Sequence, residues 1–373
     1  MATISLARGV PAPECIPVEE LADCARAAIL RDGAAALSYG AGGGYAPLRA
    51  WIADRHGVDP GRVVVTNGSL QGFVFLAGLL AGSGERVILE APTYDRPLKI
   101  LDGLGAEIVA VPQTDEGIDV DVLAEELRRG PLPAFLYVIP TFQNPSGRTL
   151  GVEGRRRLLE LASEHDLIVL EDDPYGLVRF EGTPPPTLFE LEGGERVIYS
   201  SSFSKTVAPG VRVGYLVLPE ALAGRVEAAA ASTYITPSLL AQATVHEFLI
   251  RGALARNLQL VGSLLKARRD ALIAALEDGF AGTGASWSVP EGGYFLWLDL
   301  PGVDIVELLA AAEKAGVTFV PGPDFFPRGD GGGSAARLAF SFASPAQLAV
   351  AGARLASLVS AAPAVELREQ HAA

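Results

Sequence analysis

The chain has 373 residues, which is more than one hydrophobic core usually supports, so we expect about two domains. Hydrophobic residues make up 49% of the chain and charged residues 20%, and this composition excludes an intrinsically disordered protein. The formal net charge of -14 argues against binding to nucleic acid or to membranes, because both interactions need a basic surface. Small molecules are therefore the expected partners.

The cysteines, the histidines and the N-terminal residues give further information on the class of protein. Cys15 and Cys24 are too few for a disulfide framework, and the four histidines are too scattered to form a spaced metal motif, so we expect no metal site. The first residues do not resemble a secretion signal. Polar residues interrupt the uncharged run 63–84, which therefore predicts a strand, a turn and a helix rather than a membrane span. A cytoplasmic protein is expected.

Short β-branched runs alternate with helical stretches along the first two-thirds of the chain. This alternation is typical of an α/β protein with a mostly parallel, seven-stranded sheet. The runs are 63–66, 87–90, 108–111, 135–139, 167–170, 197–201 and 213–218. A helix is expected over 151–166, where one face is charged and the other apolar. The gap between the last two runs is too short for a crossover helix, so the final strand should run antiparallel to its neighbour.

The composition after residue 218 becomes alanine-rich and helical, and a long helix is expected over 251–277. Strand-like and helical stretches then alternate and predict a smaller α+β domain. The expected strands are 294–300, 317–320 and 337–342, and the expected helices are 305–315 and 345–361. The expected domains are an N-terminal segment 1–36 that belongs to the small domain and the pocket, a large domain 37–250 and a small domain 251–373.

Polar clusters follow the ends of five predicted strands. They are residues 66–69, 90–94, 140–147, 171–175 and 201–205. In open α/β sheets, ligands bind in the crevice outside the carboxyl ends of the parallel strands. The five loops are therefore expected to meet at one crevice.

One lysine differs from the others in its surroundings. Lys266 and Lys314 lie on charged helical faces, where solvated side chains are expected. Lys205 follows a predicted strand in a hydroxyl-rich and otherwise uncharged loop. A partly desolvated lysine loses its proton more readily and can form a Schiff base. Lys205 is therefore the candidate for covalent catalysis.

The segment around Lys205, from Tyr199 to Gly214, resembles the pyridoxal-phosphate lysine motif of fold type I, class I/II aminotransferases. Nearly the whole chain follows the order of motifs of that family and is similar to its 2-aminoadipate aminotransferase-like branch. The other matching motifs are Leu37-Ser38-Tyr39-Gly40, Thr66-Asn67-Gly68-Ser69-Leu70-Gln71, Ala91-Pro92-Thr93-Tyr94, Pro140-Thr141-Phe142-Gln143-Asn144-Pro145-Ser146-Gly147 and Glu171-Asp172-Asp173-Pro174-Tyr175. The resemblance implies a large domain of the aspartate aminotransferase-like fold and pyridoxal 5'-phosphate as the cofactor.

The resemblance assigns several residues to the cofactor ring. Asp172 would keep the pyridine nitrogen protonated, so that the ring can act as an electron sink. Strand alternation allows only one of Asp172 and Asp173 to face the ring, and the family pattern selects Asp172, with Asp173 as the alternative. Asn144 and Tyr175 would hydrogen-bond the phenolic oxygen. Tyr94 would stack on the ring, unless it is an ordinary core aromatic residue.

The resemblance also implies a phosphate site. The backbone N–H groups of Ser69 and Leu70, at the start of a predicted helix, would bind the phosphate, and Ser202 and Arg212 would complete the cradle. The apolar neighbours of Arg212 predict that it is buried and needs an anion, whereas a surface ion pair is the alternative. Tyr39 matches the tyrosine that reaches the phosphate of the neighbouring subunit in this family. A homodimer with shared active sites is therefore implied.

Substrate binding is assigned in the same way. Arg337 matches the family arginine that binds the substrate α-carboxylate, with Asn144 beside it, and the alternative for Arg337 is an exposed charge on an edge strand. Arg8 lies in the segment that lines the pocket in this family. It either binds a distal acid of the substrate or is a solvated arm.

These features predict a ping-pong aminotransferase that moves an amino group from an L-amino acid to a 2-oxo acid through a Schiff base on Lys205. The catalytic candidates are Lys205, which also moves the Cα proton, Asp172 and Tyr94. The alternative is a β-lyase, decarboxylase or oxidase on the same fold, because fold does not fix the reaction. A non-enzymatic effector domain of an aminotransferase-like transcription regulator is disfavoured, because no basic helix-turn-helix region precedes the pocket segment.

Overall fold

The computed structural model describes residues 3–361 of the chain, and its helices and strands have the following bounds. The strands are β1 (Ile4–Ser5), β2 (Val63–Thr66), β3 (Arg86–Ala91), β4 (Glu107–Thr114), β5 (Gly117–Ile118), β6 (Phe135–Val138), β7 (Val169–Asp172), β8 (Val197–Ser202), β9 (Gly214–Val217), β10 (Ser286–Trp287), β11 (Phe295–Asp299), β12 (Val317–Thr318), β13 (Val320–Pro321) and β14 (Ala335–Ala339). The α-helices are α1 (Val18–Ala36), α2 (Ala46–His56), α3 (Ser69–Leu80), α4 (Asp95–Leu104), α5 (Val120–Arg129), α6 (Val152–Glu164), α7 (Leu188–Glu192), α8 (Glu220–Tyr234), α9 (Leu239–Ile250), α10 (Ala253–Gly279), α11 (Ile305–Lys314) and α12 (Pro345–Ala361).

The largest sheet has eight strands in the order β2-β9-β8-β7-β6-β3-β4-β5. Strands β8, β7, β6, β3 and β4 run parallel to one another, and β9 is antiparallel to both β2 and β8. The predicted α/β class and the predicted antiparallel final strand are therefore confirmed. The predicted count of seven strands is wrong by one, because β5 pairs with β4 at the edge of the sheet. A strand of two residues is too short to show an alternating sequence pattern.

Strands β2 and β6 are buried along their whole length because helices cover both faces of the sheet. Within β2, Val63 and Val65 belong to one hydrophobic core, whereas Val64 belongs to another. Successive side chains of a strand point to opposite faces, so the two cores lie on the two sides of the sheet. Polar residues at the ends of these strands are therefore the ones free to form a binding site.

The second sheet has four antiparallel strands in the order β10-β11-β14-β13. It shares a hydrophobic core with the long helix α10 and with α12, as the sequence predicts for a smaller α+β unit. Its last strand covers Ala335–Ala339, a few residues earlier than the predicted run 337–342. No helix within residues 3–361 is both long enough and apolar enough to cross a membrane.

The N-terminal segment contributes to both units. Strand β1 pairs in parallel with β12, and Ile4 and Leu6 lie in the core of the four-stranded sheet. Cys24 and Ala28 of α1 lie instead in a core of the eight-stranded sheet, where α1 packs against α9. The domain boundaries at residues 36 and 250 stay predictions, and residues 362–373 of the last expected domain lie outside the described residues.

Candidate active site

A cavity of about 410 Å³ lies at the carboxyl ends of the strands of the large sheet, facing the four-stranded sheet. Ten of the twelve residues that the sequence predicts for the site line this cavity. They are Ser69, Leu70, Tyr94, Asn144, Asp172, Tyr175, Ser202, Lys205, Arg212 and Arg337. The predicted convergence of separate loops on one crevice is therefore seen in the structure.

Lys205 lies in the turn after β8, and its ammonium group faces the cavity. Its Nζ donates a hydrogen bond to the backbone oxygen of Gly9 at 2.8 Å. Burial, and after it the positive charges of Arg337 and Arg212, lower the pKa of Lys205 to about 8. A lysine with this pKa supplies a substantial fraction of neutral amine near neutral pH, as a nucleophile or a proton acceptor requires.

The other three lysines have different surroundings. Lys99 forms an ion pair with Asp95 at 2.8 Å, and Lys266 forms one with Asp270 at 2.7 Å. Lys314 is exposed at the end of α11. None of the three lines the cavity. These positions agree with the prediction that Lys266 and Lys314 are solvated.

The two adjacent aspartates at the end of β7 point in opposite directions. Asp172 lines the cavity, and its two carboxylate oxygens accept hydrogen bonds from Tyr137 Oη at 2.9 Å and Ser200 Oγ at 3.1 Å. Asp173 does not line this cavity and accepts a hydrogen bond from Tyr199 Oη at 2.9 Å. Strand alternation thus brings Asp172 to the cavity and turns Asp173 away from it.

Burial dominates the acid–base behaviour of Asp172. It raises the pKa of Asp172 to about 6, although the hydrogen bonds from Tyr137 and Ser200 act in the opposite direction. The nearby charge of Asp173 raises this pKa slightly further. Asp172 is therefore an anion near neutral pH that lacks a cationic partner among the described residues, and it can accept a hydrogen bond from a protonated ring nitrogen.

Arg337 lies in β14, which has β11 on one side and β13 on the other, so the alternative of an exposed edge-strand charge is wrong. Its side chain is buried, and its Nη1 donates to Asn144 Oδ1 and its Nη2 to the oxygen of Ala7, both at 2.9 Å. The guanidinium carbon lies 4.2 Å from the centroid of the Phe295 ring. The Nε of Arg337 is buried and has no hydrogen-bond partner within the described residues. A buried cation with an unsatisfied donor at a cavity is suited to a carboxylate ligand.

The start of helix α3 and Arg212 together have the features of an anion site. Helix α3 begins at Ser69, and no side chain caps its N-terminus. The preceding residue, Gly68, has a φ of 86°, and a Cβ atom there would collide with the guanidinium of Arg212. A helix N-terminus with free N–H groups beside a close arginine favours a phosphate. Glycine is needed at position 68 because the arginine approaches the backbone so closely.

Arg212 lines the cavity, but the prediction that it is buried is wrong, because the residue is exposed. Its backbone has a left-handed φ of 50°, and β9 begins only at Gly214, so the apolar neighbours do not carry Arg212 into the sheet. Its guanidinium donates to the oxygen of Asn67 at 3.2 Å and to Ser204 Oγ at 3.3 Å. It forms no ion pair within residues 3–361, so the alternative of a surface ion pair is not observed.

Two tyrosines complete the lining of the cavity. Tyr94 precedes α4 and is half-buried, and it also packs against a hydrophobic core of the large sheet. Tyr175 is buried, with its ring 5.8 Å from that of Phe295. Burial raises the pKa of both hydroxyl groups above the ordinary tyrosine value. Both hydroxyls therefore stay protonated near neutral pH and can donate hydrogen bonds.

Tyr39 and Arg8 lie outside the cavity of their own chain. Tyr39 is 79% exposed and lines a separate pocket next to Pro237. The guanidinium carbon of Arg8 lies 4.5 Å from the centroid of the Phe342 ring. Gly9, the next residue along the chain, lines the cavity instead of Arg8.

The structure also brings residues to the site that the sequence reasoning did not select. Ser204 and Phe295 line the cavity, as does Gly9. Ser204 could have been found, because it lies in the same hydroxyl-rich block as Lys205. No signal in the sequence separates Phe295 from other strand aromatics, or marks Tyr137 as the partner of Asp172.

The groups around the cavity fit pyridoxal phosphate as one set. The amine of Lys205 would suit an aldehyde, the carboxylate of Asp172 would suit a protonated ring nitrogen, and the N-terminus of α3 would suit a phosphate. Arg337, whose Nε has no hydrogen-bond partner within the described residues, would suit the carboxylate of a second molecule. A cofactor and an amino acid therefore have complementary groups in the same cavity.

Comparison with known proteins agrees with this fit. The family model described as aminotransferase class I and II matches residues 5–350. The chain is 39% identical to a 2-aminoadipate transaminase of Thermus thermophilus, over 91% of this chain and 85% of that protein. It is 37% identical to aromatic-amino-acid aminotransferase 1 of Thermococcus litoralis, over 88% of this chain and 81% of that protein.

A solved structure shows the same fold with a cofactor adduct. The α-aminoadipate aminotransferase of Thermus thermophilus, in complex with N-(5'-phosphopyridoxyl)-L-leucine, superimposes with a TM-score of 0.89. That structure is 37% identical, and the match covers 96% of this chain and 92% of the other. The chain therefore belongs to the class I and II aminotransferases of fold type I, in the aminoadipate-like branch, and is a pyridoxal-phosphate-dependent aminotransferase.

Proposed function

We propose that this aminotransferase works by a ping-pong cycle between an L-amino acid and a 2-oxo acid, as a cytoplasmic homodimer with shared active sites. The observation that carries the proposal is the arrangement of three groups around one cavity. These are the amine of Lys205 with its lowered pKa, the carboxylate of Asp172 and the unsatisfied Nε of Arg337. Each group is suited to a different part of the reacting molecules.

The cofactor would be held at its two ends. Pyridoxal phosphate supplies an electrophilic carbonyl and an electron-withdrawing ring when it is bound. Lys205 would form the covalent link to it, and the carboxylate of Asp172 would accept the ring N–H. The N–H groups of Ser69 and Leu70 would bind the phosphate together with Arg212.

The remaining polar groups would orient the ring. Ser202 Oγ, which lies 2.8 Å from Ser204 Oγ, would add a hydroxyl to the phosphate cradle. Asn144 and Tyr175, both buried, would donate to the phenolic oxygen, and Tyr94 would cover one face of the ring. A ring fixed in this way keeps the reacting bond in a constant position relative to Lys205.

Lys205 would also move the proton. Its pKa of about 8 lies close to neutral pH, so its amine can accept the Cα proton of the substrate and return it. The low pKa of Lys205 results from its burial and from the charges of two nearby arginines. Lys205 therefore needs no neighbouring general base to remove its proton. We therefore assign both the covalent link and the proton transfer to this one residue.

Arg337 would bind the substrate α-carboxylate. Its Nε has no partner, and its Nη2 now donates to a backbone oxygen of Ala7, so an incoming carboxylate can accept from this edge of the guanidinium. Asn144 holds Nη1 at 2.9 Å and would fix the orientation of the fork. The substrate Cα would then lie between Arg337 and Lys205.

The substrate side chain is proposed from the relatives. Their printed names describe enzymes for aromatic amino acids and for 2-aminoadipate, both with long side chains. Among the other residues that line the cavity, Val10, Ile139 and Phe295 are apolar, and Asp95 and Arg96 are charged. We infer that this chain accepts amino acids with large side chains.

The dimer is proposed from an exposed apolar region at the end of α1. Leu37 is 62% exposed, Tyr39 79% and Ile235 61%, and Leu37 and Tyr39 line a common pocket of about 580 Å³. Large exposed apolar side chains that lie together are typical of a subunit interface. Tyr39 would extend from this interface to the phosphate site of the partner subunit.

A single-turnover experiment tests the proposed reaction. An L-amino acid with a large side chain is added to the enzyme without any acceptor, and the 2-oxo acid and the cofactor absorption are measured. We expect one 2-oxo acid per active site and no release of ammonia, carbon dioxide or hydrogen peroxide. Addition of a 2-oxo acid should restore the first spectrum. Continuous turnover without an acceptor would contradict the proposal, and Lys99→Ala serves as the lysine control.

A further inference from the structure

Two buried tyrosines donate to the two successive aspartates at the end of β7. Tyr137 Oη lies 2.9 Å from Asp172 Oδ2, and Tyr199 Oη lies 2.9 Å from Asp173 Oδ2. Only the first pair includes a residue that lines the active-site cavity. The fold therefore contains one tyrosine–aspartate pair at the site and a closely matched pair away from it.

The surroundings of Tyr137 fix its hydroxyl as a donor. The residue is 1% exposed in β6, and its ring packs edge-on against Phe73 at a centroid distance of 5.2 Å. Burial, and after it the charge of Asp172, raise the pKa of Tyr137 well above its ordinary value of 10. The hydroxyl therefore keeps its proton throughout the pH range in which the protein works, and it can direct that proton to Asp172.

Asp172 depends on hydroxyl groups to stay ionised. It is buried, and within the described residues it has no ion pair with a lysine or an arginine. Tyr137 donates to one of its oxygens and Ser200 donates to the other. Hydrogen bonds to the charged form favour ionisation, which offsets part of the desolvation that raises the pKa of this carboxyl. They also fix the plane of the carboxylate.

We propose that Tyr137 is a positioning residue for the transamination, whose hydroxyl, together with that of Ser200, holds Asp172 ionised and oriented toward the cofactor ring nitrogen. The inference rests on the proposed function, because it takes Asp172 as the partner of that nitrogen. A proton between a carboxylate and a pyridine nitrogen stays on the nitrogen only while the carboxylate is the weaker base. Removal of a donor from the carboxylate strengthens it as a base and shifts the proton toward Asp172.

The test measures the protonation of the ring nitrogen directly. The holoenzyme is loaded with pyridoxal phosphate carrying ¹⁵N in the ring, and the ¹⁵N chemical shift is recorded at neutral pH. In Tyr137→Phe, which keeps the ring that packs on Phe73, we expect the signal to move toward that of an unprotonated pyridine. In Tyr199→Phe, which removes the matched hydroxyl from Asp173, we expect the wild-type signal.

The kinetic expectation follows from the same shift. A hydrogen bond to a charged group is worth roughly a tenfold change in an equilibrium, so kcat should fall about tenfold in Tyr137→Phe, with a smaller change in KM. Tyr199→Phe should keep the wild-type kcat. Equal effects of the two substitutions on the ¹⁵N signal would show a general structural role and would overturn the proposal.

Three further variants make the result decisive. If Tyr137→Phe does not fold, Ser200→Ala removes the other hydrogen-bond donor to Asp172. This variant should then move the ¹⁵N signal toward that of an unprotonated pyridine. An unchanged signal would overturn the proposal. Asp172→Asn separates the inference from the proposed function. If Asp172→Asn moves the signal while Tyr137→Phe and Ser200→Ala do not, the role of Asp172 stands and that of Tyr137 falls. If only Asp173→Asn moves the ¹⁵N signal, the roles assigned to Asp172 and to Tyr137 are both wrong.

Discussion

Arg337 and Asn144, which are 193 residues apart in the chain, form a buried hydrogen bond of 2.9 Å between Nη1 and Oδ1. Arg337 belongs to the four-stranded sheet, and Asn144 lies in the loop after β6 of the eight-stranded sheet. The contact therefore joins the proposed carboxylate site to the proposed cofactor site. Arg337 lines the cavity, and its buried Nε has no hydrogen-bond partner within the described residues.

The first prediction concerns this arginine. Arg337→Lys keeps the positive charge but removes the planar fork, so the substrate should lose one or two charged hydrogen bonds. At about 1.5 kcal/mol for each bond, kcat/KM should fall by roughly 10- to 100-fold. Steady-state kinetics measure the loss, and Arg8→Ala is the control because Arg8 packs on Phe342 outside the cavity. A larger loss in Arg8→Ala than in Arg337→Lys would reverse the assignment.

The second prediction concerns the pH dependence of cofactor attachment. The pKa of Lys205 is lowered to about 8, and only the neutral amine attacks an aldehyde. The neutral fraction increases as the pH rises through this pKa, so the rate at which cofactor-free enzyme takes up pyridoxal phosphate should rise with pH and level off above about 8. Stopped-flow absorbance at a series of pH values measures this rate. A rate that keeps rising beyond pH 10 would show an unperturbed lysine.

The third prediction compares the two aspartates. Asp172→Asn removes the anion that faces the cavity, so kcat should fall far more than the affinity for the cofactor. Asp173→Asn removes an anion that faces Tyr199 and should have a much smaller effect. Single-turnover rates and cofactor dissociation constants distinguish the two variants. The opposite ranking would mean that Asp173 is the residue that serves the ring.

The fourth prediction concerns the buried pair Arg155 and Glu171, whose side chains are fully buried and 3.5 Å apart. Arg155 also donates to the oxygen of Pro140 and to Thr141 Oγ1, so it anchors the loop that carries Asn144. Removal of one partner from a buried pair costs about 3–5 kcal/mol. Arg155→Met should therefore lower the free energy of unfolding by about this amount, as measured by urea denaturation.

The control for this experiment lies on the same helix, α6. Arg157 is exposed and forms a surface ion pair with Glu160 at 3.0 Å. Such pairs contribute about 0–1 kcal/mol, so Arg157→Met should change the free energy of unfolding very little. Similar losses in the two variants would show that the burial of Arg155 has no special energetic role.

The fifth prediction concerns the proposed dimer. Tyr39→Ala and Lys205→Ala should each be strongly impaired, but a mixture of the two should recover activity after the subunits exchange. One of the two sites in a mixed dimer then contains an intact lysine and an intact tyrosine from the partner. Activity of purified mixed dimers measures the recovery. Mixed dimers without activity would show that Tyr39 serves its own chain or only packs.

The sequence predicted most strands of the sheet because strands such as β2, β6 and β7 are buried on both faces. Continuous β-branched runs such as Val63–Thr66 mark such strands, and the short gap before β9 indicated its antiparallel direction. The edge strand Gly117–Ile118 was missed because two residues show no periodicity. Elements that depend on length and pattern could thus be predicted, and a short edge strand could not.

The site was predictable only where the sequence motif itself carries the chemistry. Lys205 was recognised by its uncharged, hydroxyl-rich loop. The family resemblance supplied Asp172 as the ring partner, and strand alternation added that only one of Asp172 and Asp173 can face the ring. The exposure of Arg212 follows from its left-handed backbone, which apolar neighbours do not reveal. The contact between Tyr137 and Asp172 joins different strands, so only the fold shows it.

Mapping of the covalent cofactor adduct tests the central claim most directly. The holoenzyme is reduced with borohydride, digested and analysed by peptide mass spectrometry. We expect a single phosphopyridoxyl adduct on Lys205 in the wild type and none in a folded Lys205→Ala variant. An adduct on Lys99, Lys266 or Lys314 in the wild type, or an unchanged adduct in Lys205→Ala, would contradict the assignment of Lys205 and the site built around it.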